Sequence, residues 1–216
     1  MKPKVTEVFY EPDKRNHGLP YNPFKALVVP RPIAWITTMD EEGRVNLAPF
    51  SFFNMMGSDP PCVVFGTSGR LDGRLKDTQD FAERGGDFVI NIASYDHFDA
   101  IVETSFPFEP GESEIDRAGL AMLPSRLVRP PRIAGTPAQM ECIYLSTIPL
   151  PSNDPKERAA MVLGKVVGVH IADEVIVDGK VDIHRLRPIS RLGYTDYATV
   201  DNVFSRQSRA GRPVKL

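Results

Sequence analysis

Arg31-Pro32-Ile33-Ala34-Trp35-Ile36-Thr37-Thr38, a short acidic turn, then Asn46-Leu47-Ala48-Pro49-Phe50-Ser51-Phe52-Phe53-Asn54 is the stretch that decides the fold. Residues 33–39 and 45–53 are rich in β-branched and aromatic side chains. Asp40-Glu41-Glu42-Gly43 between them carries turn chemistry, so the segment predicts a β-hairpin. Its second strand ends in small, polar and aromatic residues. Ala48, Pro49 and Ser51 leave room for a planar ring close to the main chain, with Phe50, Phe52, Phe53 and Trp35 as apolar walls. Taken alone, such alternating aromatics read first as barrel core.

Outward from the hairpin, residues 62–67 predict a short strand, apolar enough to be buried on both faces. Asp77 is the expected N-cap of a helix over 78–84, with Phe81 and Ala82 inward and Gly85-Gly86 ending it. Residues 88–93 predict a strand, and 95–104 a second helix with Phe98, Ile101 and Val102 on one face. Residues 106–136 form a long connection dense in Pro and Gly, a kind that is usually functional or partner-facing. Two longer strands follow at 138–148 and 161–172, with a turn at 173–180. The stretch 187–194 is polar-aromatic without a clear period.

The chain has 20 prolines, about twice the usual share, and they fall mostly between apolar runs, where a β protein tolerates them. At least six strands, mostly hairpin-connected, with two or three short helices imply a mainly β fold. The expected architecture is an antiparallel barrel rather than a doubly wound sheet. No Gly-x-Gly-x-x-Gly follows a strand, so a Rossmann cofactor site has no support. The expected division is an arm at 1–20, a domain at 21–200 and a tail at 201–216.

With 216 residues, 42% hydrophobic and 25% charged, the chain has the composition of an ordinary globular protein with a full core. Lys and Arg total 26 against 28 acidic residues, and this balance argues against a nucleic-acid binder. Met1-Lys2-Pro3-Lys4-Val5 lacks the apolar stretch of a signal peptide, and no apolar run approaches the roughly 20 residues of a membrane span. A cytoplasmic protein is the expectation. Cys62 and Cys142 sit in separate apolar runs, as buried free thiols do.

For chemistry, Lys76-Asp77-Thr78 opens a helix. A helix N-terminus offers unpaired N–H groups and partial positive charge, Lys76 a full charge and Thr78 a hydroxyl, which together would seat a phosphate. Without context the same three residues are an ordinary capped surface helix. Thr37, Thr38, Thr67 and Ser68, at the ends of candidate strands, could donate to ribityl or phosphate oxygens. Arg70 and Arg74 read as solvated loop residues. His170 shares a strand face with Gly168, whose missing side chain could admit a ligand, although a lone strand histidine is more often structural. His17, His97 and His184 show no metal spacing. With no nucleophile signature and no acid/base pair, a cofactor would have to carry any chemistry. An aromatic hairpin with a phosphate seat points to a mononucleotide-like ligand, a flavin foremost.

The order of Arg31-Pro32-Ile33-Ala34-Trp35, Asn46 through Asn54, Asp59-Pro60-Pro61, Lys76-Asp77-Thr78 and Phe88-Val89-Ile90-Asn91 resembles the flavin reductase-like, FMN-binding split-barrel family. Further agreement lies in Glu109-Pro110-Gly111-Glu112-Ser113-Glu114, Ala118-Gly119-Leu120, Pro130-Pro131-Arg132 and Gly164-Lys165-Val166-Val167. The resemblance runs from about Tyr21 to Tyr197. It implies a homodimer of Greek-key split β-barrels with one FMN per subunit near the interface, and NADH or NADPH as electron donor. It places ring and ribityl on Ser51, Phe52, Phe53 and Asn54, and the phosphate on Lys76, Asp77 and Thr78, with Thr37, Thr67 and Ser68 beside it. It puts His170 on the nicotinamide side and Arg191 and Tyr194 over the partner's flavin. Two activities stay open: a reductase passing hydride to flavin, for instance for a monooxygenase, and an electron carrier reduced by a protein partner. A split barrel holding another ligand, such as haem, is a third option.

Overall fold

The computed structural model describes residues 7–70, 72–106, 113–154 and 156–206. A one-turn helix α1 (Phe24–Leu27) leads into strands β1 (Arg31–Pro32), β2 (Ala34–Met39), β3 (Val45–Phe50), β4 (Phe53–Ser58) and β5 (Pro61–Thr67). Helix α2 (Asp77–Gly85), strand β6 (Asp87–Ile92) and helices α3 (Phe98–Glu103) and α4 (Glu114–Arg117) follow. Short β7 (Met122–Leu123) and β8 (Arg132–Ile133) precede two long strands, β9 (Ala138–Pro149) and β10 (Ala160–Ile171). Then come β11 (Ile176–Val177), β12 (Lys180–Val181), α5 (Ile183–Leu186), β13 (Ile189–Arg191) and β14 (Tyr197–Thr199). The main sheet has seven strands in the order β3-β2-β6-β9-β10-β5-β4, and a smaller one has the order β1-β13-β14; every pairing in both is antiparallel.

The expected hairpin is present, with Ala34 opposite Phe50 and Met39 opposite Val45. Its second strand is shorter than expected. The chain bends at Ser51-Phe52, and Phe53 opens β4, which pairs with β5 in the register Phe53 to Phe65. Gly66 makes that bend possible: its N–H donates to the Phe52 carbonyl at 2.6 Å, and the Phe52 side chain occupies the space a Cβ would need.

One face of the main sheet builds the larger core. Ala34, Ile36, Phe50, Val63, Phe65, Phe88, Ile90, Cys142, Val162 and Val166 pack there, with Phe65 5.2 Å from Phe50 and 5.5 Å from Phe88 between ring centroids. Gly164 faces the edge of the Phe88 ring, and the Ile143 carbonyl bars a backbone retreat. Gly164→Ala is therefore expected to overpack this core and cost about 1–3 kcal/mol, read as a lower urea midpoint. An unchanged midpoint would show that the Phe88 ring has room to turn.

The opposite face is covered by the chain itself. Of the connection at 106–136, expected to be functional or partner-facing, the described residues 113–136 contain α4, β7 and β8 and lie over β2, β6 and β9. The Thr37 hydroxyl donates to the Pro131 carbonyl at 2.6 Å. Asn91 donates to the Trp35 carbonyl and accepts from the Ile133 N–H, both at 2.9 Å. Each bond satisfies a polar group that this cover removes from water. The 187–194 stretch, without period in the sequence, contributes β13, whose Arg191 lies opposite Arg31 of β1. Residues 109–112 of the quoted motif, 1–6 of the arm and 207–216 of the tail lie outside the described residues.

Candidate functional site

The start of α2 gathers charge. Lys76, not Asp77, occupies the cap position with extended backbone, and Asp77 is the first helical residue. The Asp77 carboxylate cannot cap because it pairs with the Arg70 guanidinium at 3.0 Å. Arg70, read from the sequence as solvated, is half-buried and belongs to this cluster. The Lys76 ammonium lies 5.6 Å from the Phe50 ring centroid. Lys76 is exposed as a residue, but its ammonium is crowded. Desolvation first, and the positive charge of Arg70 second, hold its pKa below the usual lysine value. Glu114 approaches from α4, and burial raises its pKa, which favours the neutral carboxyl. Two cations, Arg70 and Lys76, thus meet the first N–H groups of α2 beside Asp77, an arrangement that offers a phosphate positive charge and N–H donors.

The aromatic segment lies beside this cluster. The pairing of Phe53 with Phe65, and of the Phe52 carbonyl with the Gly66 N–H, runs residues 51–54 alongside the end of β5. Thr67 and Ser68 come next on the chain, then Arg70. Ser51 is half-buried, and Phe52 is 55% exposed. Ala48 and Phe53 pack partly against the core, and exposed Asn54 accepts from the Met55 N–H at 2.9 Å. Thr67 is buried, its hydroxyl donating to the Ser68 carbonyl at 3.2 Å. Ser51–Asn54, Thr67, Ser68, Arg70 and Lys76 therefore share one end of the sheet.

Other expected residues lie elsewhere or face inward. Trp35, expected as a wall, is fully buried on the opposite face, its indole N–H donating to the Thr104 hydroxyl at 2.9 Å. Period 2 along β2 sends Ala34 and Ile36 to one core and Trp35 and Thr37 to the other. Thr38 on β2 and Thr78 in the first turn of α2 are both buried, and the Asn46 amide donates to the Thr78 hydroxyl at 2.7 Å and reaches the Thr38 hydroxyl at 3.5 Å, which ties the helix to the hairpin. Arg191 lies over the Tyr197 ring at 4.4 Å and donates to the Tyr194 carbonyl, while Tyr194 meets Tyr21 edge-on at 5.7 Å.

His170 stands at the far end of β10. Ala160 pairs with Thr67 and His170 with Gln139, about 33 Å apart along the strand. His170 Nε2 is 2.5 Å from Glu141 Oε1, and the same carboxylate accepts the Arg126 N–H at 2.8 Å and the Leu127 N–H at 2.6 Å. Glu141 is 0% exposed. Burial pushes its pKa up, but the Arg126 N–H, His170 and the Leu127 N–H outweigh this and hold it below the ordinary carboxylate value. Sequence reasoning missed Glu141. Its one signal is a carboxylate inside the apolar run Met140-Glu141-Cys142-Ile143. The pair borders a cavity of about 700 Å³ with Arg126, Arg132 and Glu174 on its walls.

Cys62 and Cys142 are free thiols; Cys142 is buried, and burial pushes its pKa up, while Cys62 is half-buried. Among the described residues no group of three or more His, Cys, Asp or Glu could hold a metal, and no helix is long and apolar enough to cross a membrane.

Residues 26–185 match the model of the flavin reductase like domain. The chain belongs to the flavin reductase-like family. This flavin reductase-like protein is 34% identical over 194 residues to an uncharacterized protein of Halalkalibacterium halodurans, covering 90% of this chain and 93% of that one. Among solved structures it is similar to nitrilotriacetate monooxygenase component B from Bacillus cereus, with a TM-score of 0.85 and 30% identity over 94% of this chain and 100% of that one. It is also similar to the 2-nitrobenzoate 2-nitroreductase of Pseudomonas fluorescens, with a TM-score of 0.75 and 28% identity over 88% and 91% of the two chains. The mainly β, antiparallel fold is the split barrel of this family.

Proposed function

We propose that this flavin reductase-like protein is an FMN-binding oxidoreductase that transfers hydride from NADH or NADPH to flavin. The observation that carries the reading is the juxtaposition of Arg70, Lys76 and the α2 N-terminus with the Ser51–Asn54 segment at one end of the sheet. Arg70, Lys76 and the first N–H groups of α2 would hold the phosphate. Ser51, Thr67 and Ser68 would bond the ribityl chain, and the main chain at 51–54 would bond the ring edge, with Phe52 against the ring. FMN, when bound, supplies the hydride acceptor; the chain's residues bind, orient and set the field around it. No protein nucleophile or acid/base pair is needed.

A homodimer suits the surface. Exposed Met55 and Met56 on β4, Ile143 and Leu145 on β9, and Val169 and Ile171 on β10 offer apolar area to a second copy. His170 lies at that end of β10, so a role toward nicotinamide belongs to such an assembly rather than to one chain's own ring segment. Similarity to a monooxygenase component supports a monooxygenase as the acceptor of reduced flavin.

The test is anaerobic mixing of the FMN-loaded protein with NADH and with NADPH. Loss of the flavin's visible absorbance with either donor is expected. Absorbance that persists with both, and falls only with a reduced protein donor, would overturn the reductase reading in favour of an electron carrier.

A further inference from the structure

Strand β3 is an edge of the main sheet, and each of its faces carries a helix. Helix α2 puts Ala82 into the core of Ala34 and Ile36, and α4 puts Ile115 into the core of Trp35 and Leu47. Two neighbouring residues of β3 tie both helices to that edge. The Asn46 amide donates to the Thr78 hydroxyl at 2.7 Å, and the Leu47 N–H donates to the Glu114 carboxyl. Glu114 is half-buried, and its carboxyl lies beside the first turn of α2, where Asp77 pairs with Arg70 at 3.0 Å. Lys76 precedes Asp77 at the cap. On α4 itself Asp116 and Arg117 are exposed, and Arg117 pairs with Glu103 at 2.8 Å.

The formal charges decide what such a seat can hold. Arg70 and Lys76 are cations, and Asp77 is an anion. An ionised Glu114 would bring these four side chains to zero net charge and set a second carboxylate against an incoming phosphate dianion. A neutral Glu114 leaves the seat a net positive charge and removes that repulsion. The surroundings already act in this direction. Burial first, and Asp77 with it, push the Glu114 pKa up, and they outweigh its own N–H, the Leu47 N–H and Arg70, which pull it down. A carboxyl that served only to cap the β3 edge would be better ionised, since both N–H groups favour the charged form. The neutral carboxyl keeps a carbonyl oxygen for the Leu47 N–H and gains an O–H donor.

We propose that Glu114 sets the charge of this phosphate seat: FMN binds with the Glu114 carboxyl protonated, and where that carboxyl is ionised, binding draws the proton from solvent. The inference rests on the reading of the Arg70–Lys76 cluster as the FMN phosphate site and adds a residue to it. The seat then loosens its hold on FMN as Glu114 ionises with rising pH, and Lys76 adds its own step at alkaline pH.

The test is calorimetric titration of the full-length protein and of Glu114→Gln with FMN and with riboflavin, from about pH 5 to about pH 8, in phosphate-free buffers of different ionisation enthalpy. The dependence of the heat on the buffer counts the protons taken up. Gln keeps a carbonyl for the Leu47 N–H and cannot ionise, while the phosphate of FMN and Lys76 titrate in both proteins. The wild-type protein is expected to take up about half a proton more per FMN than Glu114→Gln at the maximum, and its FMN affinity to fall about tenfold more across the range. With riboflavin the two proteins should take up protons equally, because no phosphate enters the seat. Equal proton counts with FMN, or an excess that riboflavin also produces, would overturn the inference and leave the flavin reading standing. FMN that binds neither protein would overturn both.

Discussion

Lys76→Ala is expected to weaken FMN binding by roughly ten- to a hundredfold while changing riboflavin affinity by less than about threefold. The two ligands differ only in the phosphate, so the difference between the losses isolates the contact. Lys76 reaches this position because it occupies the cap of α2, where its charge adds to the unpaired N–H groups behind it. Arg70→Ala should act in the same direction but less strongly, since Arg70 already shares its charge with Asp77. The lowered pKa of Lys76 sets the pH dependence. The Lys76-dependent part of FMN affinity is complete below that pKa and fades as pH rises through it, earlier than for an ordinary lysine. Fluorescence titration of both flavins across alkaline pH measures all three effects. Equal losses for FMN and riboflavin in Lys76→Ala would place the phosphate elsewhere.

Glu141→Ala is expected to destabilise the fold by about 2–4 kcal/mol, because it strips the acceptor from the Arg126 N–H, the Leu127 N–H and His170 at once. The damage should begin at Arg126 and Leu127, which this carboxylate ties to the sheet, while Arg129 and Pro131 keep their own ties to Asp87 and Thr37, and amide exchange at Arg126 and Leu127 should rise before that of β9. Glu141 has a folded pKa below its unfolded value of about 4.3. Its contribution is therefore fully present above the unfolded value and lost as pH falls through the folded one. Glu141→Gln should flatten that acid limb of the urea midpoint while keeping part of the hydrogen bonding. A Gln variant with the wild-type acid limb would show that the carboxylate's charge is not what holds the loop.

The hairpin of β2 and β3 was legible because β-branched and aromatic residues flank a turn of fitting chemistry. β4 was not, because Asn54-Met55-Met56-Gly57 has no strand propensity of its own; β5 imposes the conformation through pairing. The helix at 77–85 was legible, but its cap was placed one residue late, since Asp77 is a good capping residue that Arg70 engages instead. Trp35 shows a different limit. Alternation along β2 is plain in the sequence, yet both faces of the strand are buried, so alternation alone cannot say which one looks toward a ligand. Glu141 and His170 meet only through the register of two long strands, and a β-bulge between Val166 and Gly168 shifts that register. Arg70 was hidden for the same reason: its pairing with Asp77 is a property of three-dimensional neighbours.

The most direct measurement of the central claim is a crystal structure of this protein with FMN bound. The phosphate is expected within hydrogen-bond distance of the Lys76 Nζ and the first N–H groups of α2, with the ring along residues 51–54. A phosphate seated away from Lys76, for instance in the cavity beside His170, would contradict it.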